Sequence, residues 1–313
     1  MADPFQALLQ RAEALLARVE TLLPTPLGAP DWNASIAFRY RKRNGRSLLE
    51  PVRHVAQIAL SNLLEVEPQK ERLLRNTRQF VAGHPANNVL LTGARGTGKS
   101  SLIKACLNEF SPQGLRLIEV DKADLVDLPD LVDLVADRPE RFVIFCDDLS
   151  FDEGEPGYKA LKSMLDGSVA AAGDNVLIYA TSNRRHLLPE YMKDNLTYQH
   201  QPDGEVHPGE VIEEKISLSE RFGLWVSFYP FSQAEYLAIA AQWLRSFDVP
   251  EEAIAAARQE CLVWALERGS RSGRVAYQFA RDYSGRHHGD LLDDAPSVAP
   301  TIAAEGPEGL DHV

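Results

Sequence analysis

A chain of 313 residues with 44% hydrophobic and 25% charged side chains has the make-up of a soluble globular protein, long enough for one large core or two smaller ones. Its formal net charge of -12 argues against bulk attraction to nucleic acid or an anionic membrane, so any such contact must be a local patch. It has no apolar run of about 18 residues, and Asp3 and Glu13 stand where a secretory signal would be basic and then apolar, so no membrane partner and a cytoplasmic location are expected.

Phe5, Leu8, Ala12, Leu15, Val19 and Leu22 recur at three- and four-residue steps, which predicts an amphipathic helix over 3–23, ended by Pro24 and Pro26. Its length allows a short coiled-coil seam, although a helix laid on its own domain is the commoner outcome. Trp32, Phe38 and Tyr40 are then interleaved with Arg39, Arg41, Lys42, Arg43 and Arg46. Bases can stack on such rings while cations contact phosphates, which would make residues 32–46 a nucleic-acid site. Alternate aromatics also describe an amphipathic strand that packs its rings on the domain and leaves its cations solvated or paired. Helical stretches are expected at about 50–64 and 68–82, before Gly83-His84-Pro85 breaks the chain.

The apolar run Asn88 to Thr92 leads into Gly93-Ala94-Arg95-Gly96-Thr97-Gly98-Lys99-Ser100, a complete GxxxxGK[ST] loop, and Ser101 to Leu107 continues as a helix. A strand that ends in a glycine loop and restarts as a helix aims backbone N–H groups and a positive helix end at one place, which suits phosphate. Gly93 and Gly98 permit backbone angles and close approach that a Cβ would block. Lys99 can reach the β- and γ-phosphates, and Ser100 offers a hydroxyl to Mg2+. The expected nucleotide-binding set is Gly93, Ala94, Arg95, Gly96, Thr97, Gly98, Lys99, Ser100 and Ser101, with ATP and Mg2+ as the ligands.

Strand-like runs follow at Leu115 to Val120, Phe142 to Cys146, Val176 to Thr181 and Leu224 to Phe228, with helical segments between most of them. Such alternation predicts parallel strands with crossover helices. Their almost wholly apolar character fits a sheet covered on both faces. The long, polar and acidic segment 189–215 is either a surface connection or a loop that couples subunits. From Ser232 to Tyr283 helices take over, among them Gln233 to Phe247 and Glu251 to Glu267. Residues 290–313 lack either period and read as a disordered acidic tail. Cys106, Cys146 and Cys261 lie in apolar runs and read as reduced core thiols, while His287-His288 reads as a solvated pair.

Four more groups carry candidate chemistry. Phe142 to Cys146 delivers Asp147 and Asp148 at a strand end, the first suited to the Mg2+ shell and the second to a water facing the γ-phosphate; a polar turn is the plainer reading. Asn183 follows another apolar strand, and its amide is donor and acceptor together, although an Asn there is commonly a turn residue. Arg221 stands where a guanidinium could meet phosphate, or a nearby Glu in a surface pair. Arg274 lies in the first turn of a helix, where the dipole disfavours a cation and an anion would compensate.

The ordered set of phosphate loop, Asp147-Asp148, Asn183, Arg221 and Arg274, with an all-helical segment after it, resembles the AAA+ ATPase superfamily over residues 62–283. Val66-Glu67-Pro68-Gln69-Lys70-Glu71, Leu218-Ser219-Glu220-Arg221-Phe222-Gly223-Leu224 and Arg271-Ser272-Gly273-Arg274-Val275-Ala276 look like a bacterial AAA+ family catalogued as a domain of unknown function. The resemblance implies an α/β P-loop NTPase fold: a parallel five-stranded sheet with the phosphate-loop strand central, helices on both faces, and a small helical lid. The expected divisions are 1–61 (N-terminal helical region), 62–230 (nucleotide-binding domain), 231–289 (lid) and 290–313 (tail). The resemblance also implies that Asp147-Asp148 are the Walker B pair, Asn183 is sensor 1, Arg221 is an arginine finger acting on a neighbour's ATP in a ring or filament, and Arg274 is sensor 2. Most AAA+ ATPases have Glu where this chain has Asp148, one methylene shorter, so slow hydrolysis is one expectation. The functions expected are ATP-driven remodelling or loading of a protein or nucleic-acid client, or a nucleotide-gated adaptor that hardly turns over.

Overall fold

The computed structural model describes residues 4–20, 27–43, 46–151, 155–166, 174–184, 199–200, 206–207 and 218–293. These divide into two compact units, 1–232 and 233–313. Among the described residues no helix is long and apolar enough to cross a membrane.

The first unit begins with α1 (Pro4–Glu20), as its periodicity predicts. Phe5, Leu15 and Leu16 on it are exposed. β1 (Ala37–Arg43) and β2 (Arg46–Pro51) follow, then α2 (Glu67–Val81), β3 (Val89–Gly93), α3 (Lys99–Phe110), β4 (Leu115–Glu119), α4 (Leu128–Val135), β5 (Arg141–Cys146), α5 (Pro156–Leu165) and β6 (Val176–Ser182). β7 (Gln199–His200) and β8 (Val206–His207) make a small antiparallel pair inside the expected loop 189–215, the rest of which lies outside the described residues. β9 (Leu224–Phe228) is the last strand.

The sheet has seven strands, not the expected five, in the order β2-β1-β4-β5-β6-β3-β9. The two extra strands are a hairpin. β1 pairs antiparallel with β2 and parallel with β4, so residues 37–43 and 46–51 extend the sheet. The phosphate-loop strand β3 lies between β6 and the edge strand β9 and is not central. Where a helix was expected at 50–64, the chain leaves β2 at Pro51, runs extended, and makes only a 3-10 turn at Leu60–Asn62. Long-range bonds hold it extended: Asn108 Nδ2 donates to the Ala56 and Ile58 carbonyls, and Lys70 Nζ donates to those of Leu60 and Leu63.

Both sheet faces are covered, as apolar strands require. Ile118, Phe142, Ile144, Ile178 and Leu90 point to one side, into a core shared with Leu128, Leu131 and Val135 of α4 and with Tyr158 and Leu161 of α5. Trp32, Phe38 and Tyr40 are buried in this same core, with the Trp32 ring centroid 4.8 Å from Phe38 and 4.9 Å from Phe142. The rings therefore pack the N-terminal hairpin onto the sheet, which removes them as base-stacking platforms. The opposite face carries Tyr179, whose hydroxyl meets Asn76 Nδ2 at 3.2 Å and Thr77 Oγ1 at 2.9 Å on α2.

The second unit is helical throughout its described residues: α6 (Gln233–Ser246), α7 (Glu251–Ala256), α8 (Arg258–Glu267) and α9 (Gly273–Asp293). Tyr236, Leu244, Cys261 and Phe279 form part of its own core. The helix expected over 251–267 is divided at Ala257, a break that nothing in the sequence marks. α9 runs to Asp293, past the boundary expected at 289; residues 294–313 lie outside those described. The three cysteines are free and buried, as expected.

Candidate functional site

β3 ends at Gly93 with φ of +128°, and a Cβ there would sit 1.9 Å from the Phe228 carbonyl oxygen on β9. Only glycine fits. Gly96 and Gly98 also have positive φ, at 74° and 97°, so the loop takes backbone conformations that L side chains rarely adopt. Gly98 is also the N-cap of α3 and provides no side-chain cap, which leaves the first-turn N–H groups for an external acceptor. Thr97 Oγ1 donates to the Ala94 carbonyl at 2.8 Å and ties the loop across its width.

Lys99 is buried. Its Nζ donates to the Gly93 and Ala94 carbonyls, each at 2.7 Å, and to Asn183 Oδ1 at 3.1 Å. Ser100 Oγ donates to Asp147 Oδ1 at 2.6 Å, which joins the N-terminus of α3 to the end of β5. Asp148 follows in a left-handed conformation, φ of +52°. Its carboxylate accepts from Asn183 Nδ2 and lies 3.8 Å from Arg95 Nη2. Burial pushes the neighbouring Cys146 thiol up to about 12, so it stays neutral at the strand end near Asp147.

The residues predicted for the phosphate loop, the carboxylate pair and Asn183 therefore meet at the ends of β3, β5 and β6. Ser101 continues the first turn of α3. Arg221 Nε donates to Asp166 just after α5, so the plain ion-pair reading of this arginine describes the single chain, with an Asp in place of the expected Glu. Arg274 belongs to the second unit, in the first turn of α9, where it is exposed. Ser272 Oγ accepts from the Val275 N–H at 3.3 Å and caps that helix.

Thr181 was missed from the sequence. Its hydroxyl donates to Asp147 Oδ1 at 2.5 Å and accepts the Asp148 N–H at 2.9 Å. The signal was period two: Leu177, Tyr179 and Thr181 share one side of β6, and Asn183 follows at the next such step just past its end. Asp166 gave no signal, because its partner is 55 residues away.

A mostly parallel sheet with β3 between β6 and β9, and a glycine loop at its carboxyl end, is the arrangement of an α/β P-loop fold. The chain belongs to the family described as protein of unknown function (DUF815), whose model matches residues 33–287. Among solved structures, two RuvB mutants from Thermotoga maritima share this fold. One is 17% identical with a TM-score of 0.50, covering 76% of this chain and 68% of that one. The other is 18% identical with a TM-score of 0.51, covering 76% and 67%. No curated protein matches the chain by sequence.

Proposed function

We propose that this AAA+ protein binds and hydrolyses ATP at the site between Gly93 and Asn183, and that the turnover drives remodelling or loading of a macromolecular client. The observation that carries the reading is the convergence of Lys99, Ser100, Asp147, Asp148 and Asn183 at adjacent strand ends beside an uncapped helix N-terminus. Lys99 and the first-turn amides of α3 would hold the phosphates. The Ser100 hydroxyl and Asp147 carboxylate, 2.6 Å apart, are the hard oxygen donors that suit Mg2+, which would supply charge neutralisation at the phosphates. Asp148 would accept a proton from the attacking water, and Asn183 would orient that water through its amide. Arg221 of a second copy would complete the site in a ring or filament, and Arg274 would sense the phosphate from the helical unit.

The second reading, a nucleotide-gated adaptor with little turnover, is favoured by one observation. The short Asp148 carboxylate already bonds Asn183, which would slow its capture of water. Steady-state ATPase activity against protein concentration separates the two, comparing the native chain with Asp148→Asn and Arg221→Ala. Specific activity that rises with concentration and falls at least about tenfold in both variants is expected. Native turnover at the variants' background at every concentration sinks the hydrolytic reading.

A further inference from the structure

Asp148 departs from the backbone that an ordinary strand end would give it. At φ of +52° it occupies the left-handed region, which is unfavourable for a non-glycine residue unless its surroundings hold it there. One residue on the neighbouring strand supplies two bonds that hold this turn. The Asp148 N–H donates to the Thr181 hydroxyl at 2.9 Å and, over a longer 3.2 Å, to Asp147 Oδ1, the oxygen that the same hydroxyl bonds; the Thr181 carbonyl accepts the next amide, Leu149 N–H, at 2.7 Å. The same hydroxyl gives its proton to Asp147 Oδ1 at 2.5 Å. Its donor and acceptor capacities are thus divided between the two carboxylate residues. Thr181 is buried, so water does not compete readily for either bond.

We infer that Thr181 is a positioning residue for the carboxylate pair: it clamps the turn after β5 in the left-handed conformation and so aims the short Asp148 side chain at the Asn183 amide. The inference deepens the proposed ATPase reading and rests on it for its kinetic consequence. A glutamate gains reach from its extra methylene. Here the backbone turn gives reach to an aspartate, and the turn is held by Thr181 from the strand that Asn183 directly follows. One hydroxyl therefore links the Asp147 carboxylate that faces Ser100 to the backbone that aims Asp148.

The test compares the full-length native chain with Thr181→Val, nearly equal in shape but without the hydroxyl, and Thr181→Ser, which restores it. In the nucleotide-free protein, amide hydrogen exchange at Asp148 should quicken by about tenfold in the Val variant and return toward native in the Ser variant. Leu149, bonded to the Thr181 carbonyl, is the internal control and should change less. In turnover, kcat should fall about tenfold in the Val variant with KM for ATP within about twofold, and Ser should recover most of it. Native-like exchange at Asp148 in the Val variant overturns the clamp. Equal acceleration at Asp148 and Leu149 also overturns it, because the loss is then of the strand pairing and not of one bond. A native chain that binds a fluorescent ATP analogue without turnover overturns hydrolysis instead, and the clamp is then decided by exchange alone.

Discussion

Asp148 shows how one residue can carry its own compensation. Left-handed backbone favours Asp and Asn over longer side chains, whose Cβ is no easier to place and whose side chain gains no local hydrogen bond. Placing a glutamate here would put a longer arm where Asn183 Nδ2 already touches the carboxylate and Arg95 Nη2 lies 3.8 Å away. Asp148→Glu, although it supplies the residue that most AAA+ ATPases carry, should therefore lower turnover by about threefold to tenfold. A rise above the native rate, with nucleotide affinity unchanged, would show that the short arm limits the reaction. At the same scale, the motif alone marked Lys99 and Ser100 as phosphate and metal groups because their roles follow from local spacing. Thr181 escaped because its role is set by the neighbouring strand, 34 residues away from the carboxylate it bonds.

The hairpin of β1 and β2 is the element on which sequence and structure differ most. Strands β5 and β6 were legible because each is a compact apolar run with both faces buried, and β4 and β9 because apolar residues predominate in them although some positions are only partly buried. β1 is half of each kind: Phe38 and Tyr40 face the core, while Arg39 pairs with Glu119 and Lys42 with Asp127, both at 2.7 Å. Composition weighted the cations, and two readings stayed open until the rings were seen buried. β2 and the stretch after it were hidden for another reason. The carbonyls of Ala56, Ile58, Leu60 and Leu63 accept from Asn108 and Lys70, bonds that hold the segment outside a helix, and no periodicity records a bond to another element. At the far edge of the sheet, α2 reaches over β9, where Arg72 donates to the Trp225 carbonyl at 2.9 Å and Gln69 to that of Ser227 at 3.1 Å. Side chains thus occupy edge carbonyls that would otherwise template another strand. If the hairpin is a packed extension of the core, Phe38→Ala should destabilise the first unit by about 3–5 kcal/mol, the range for truncating a buried aromatic. Arg41→Ala, at a half-exposed position, should stay within about 0.5 kcal/mol. Urea unfolding followed by tryptophan fluorescence reads both, and equal effects would return the hairpin to a surface role.

For the whole molecule, the consequential pair is Arg221 with Asp166. The resemblance to AAA+ proteins gives this arginine to the site of a neighbouring copy, but within one chain its Nε donates to an aspartate just beyond α5. If Arg221 engages a neighbour's phosphate, as proposed, that engagement competes with a bond at home. The Asp166 side chain is 46% exposed and that of Arg221 26%, so solvent screens the pair, and exposed ion pairs are worth about 0.2–1 kcal/mol. A bond of that size would not block the proposed assembly but would shift its balance. Asp166→Asn keeps the shape and removes the charge, so it should lower the protein concentration at half-maximal specific activity by about 1.5- to 5-fold, the free energy of such a pair expressed as a ratio. The shift should shrink at high salt, because screening weakens the native pair that the substitution removes. Arg221→Ala should abolish the concentration dependence in either background. If Asp166→Asn leaves the midpoint where it was while Arg221→Ala still abolishes the rise, the ion pair is a surface contact without influence on assembly. If Arg221→Ala leaves the rise intact, the arginine does not reach a neighbour, and assembly must be completed by another group.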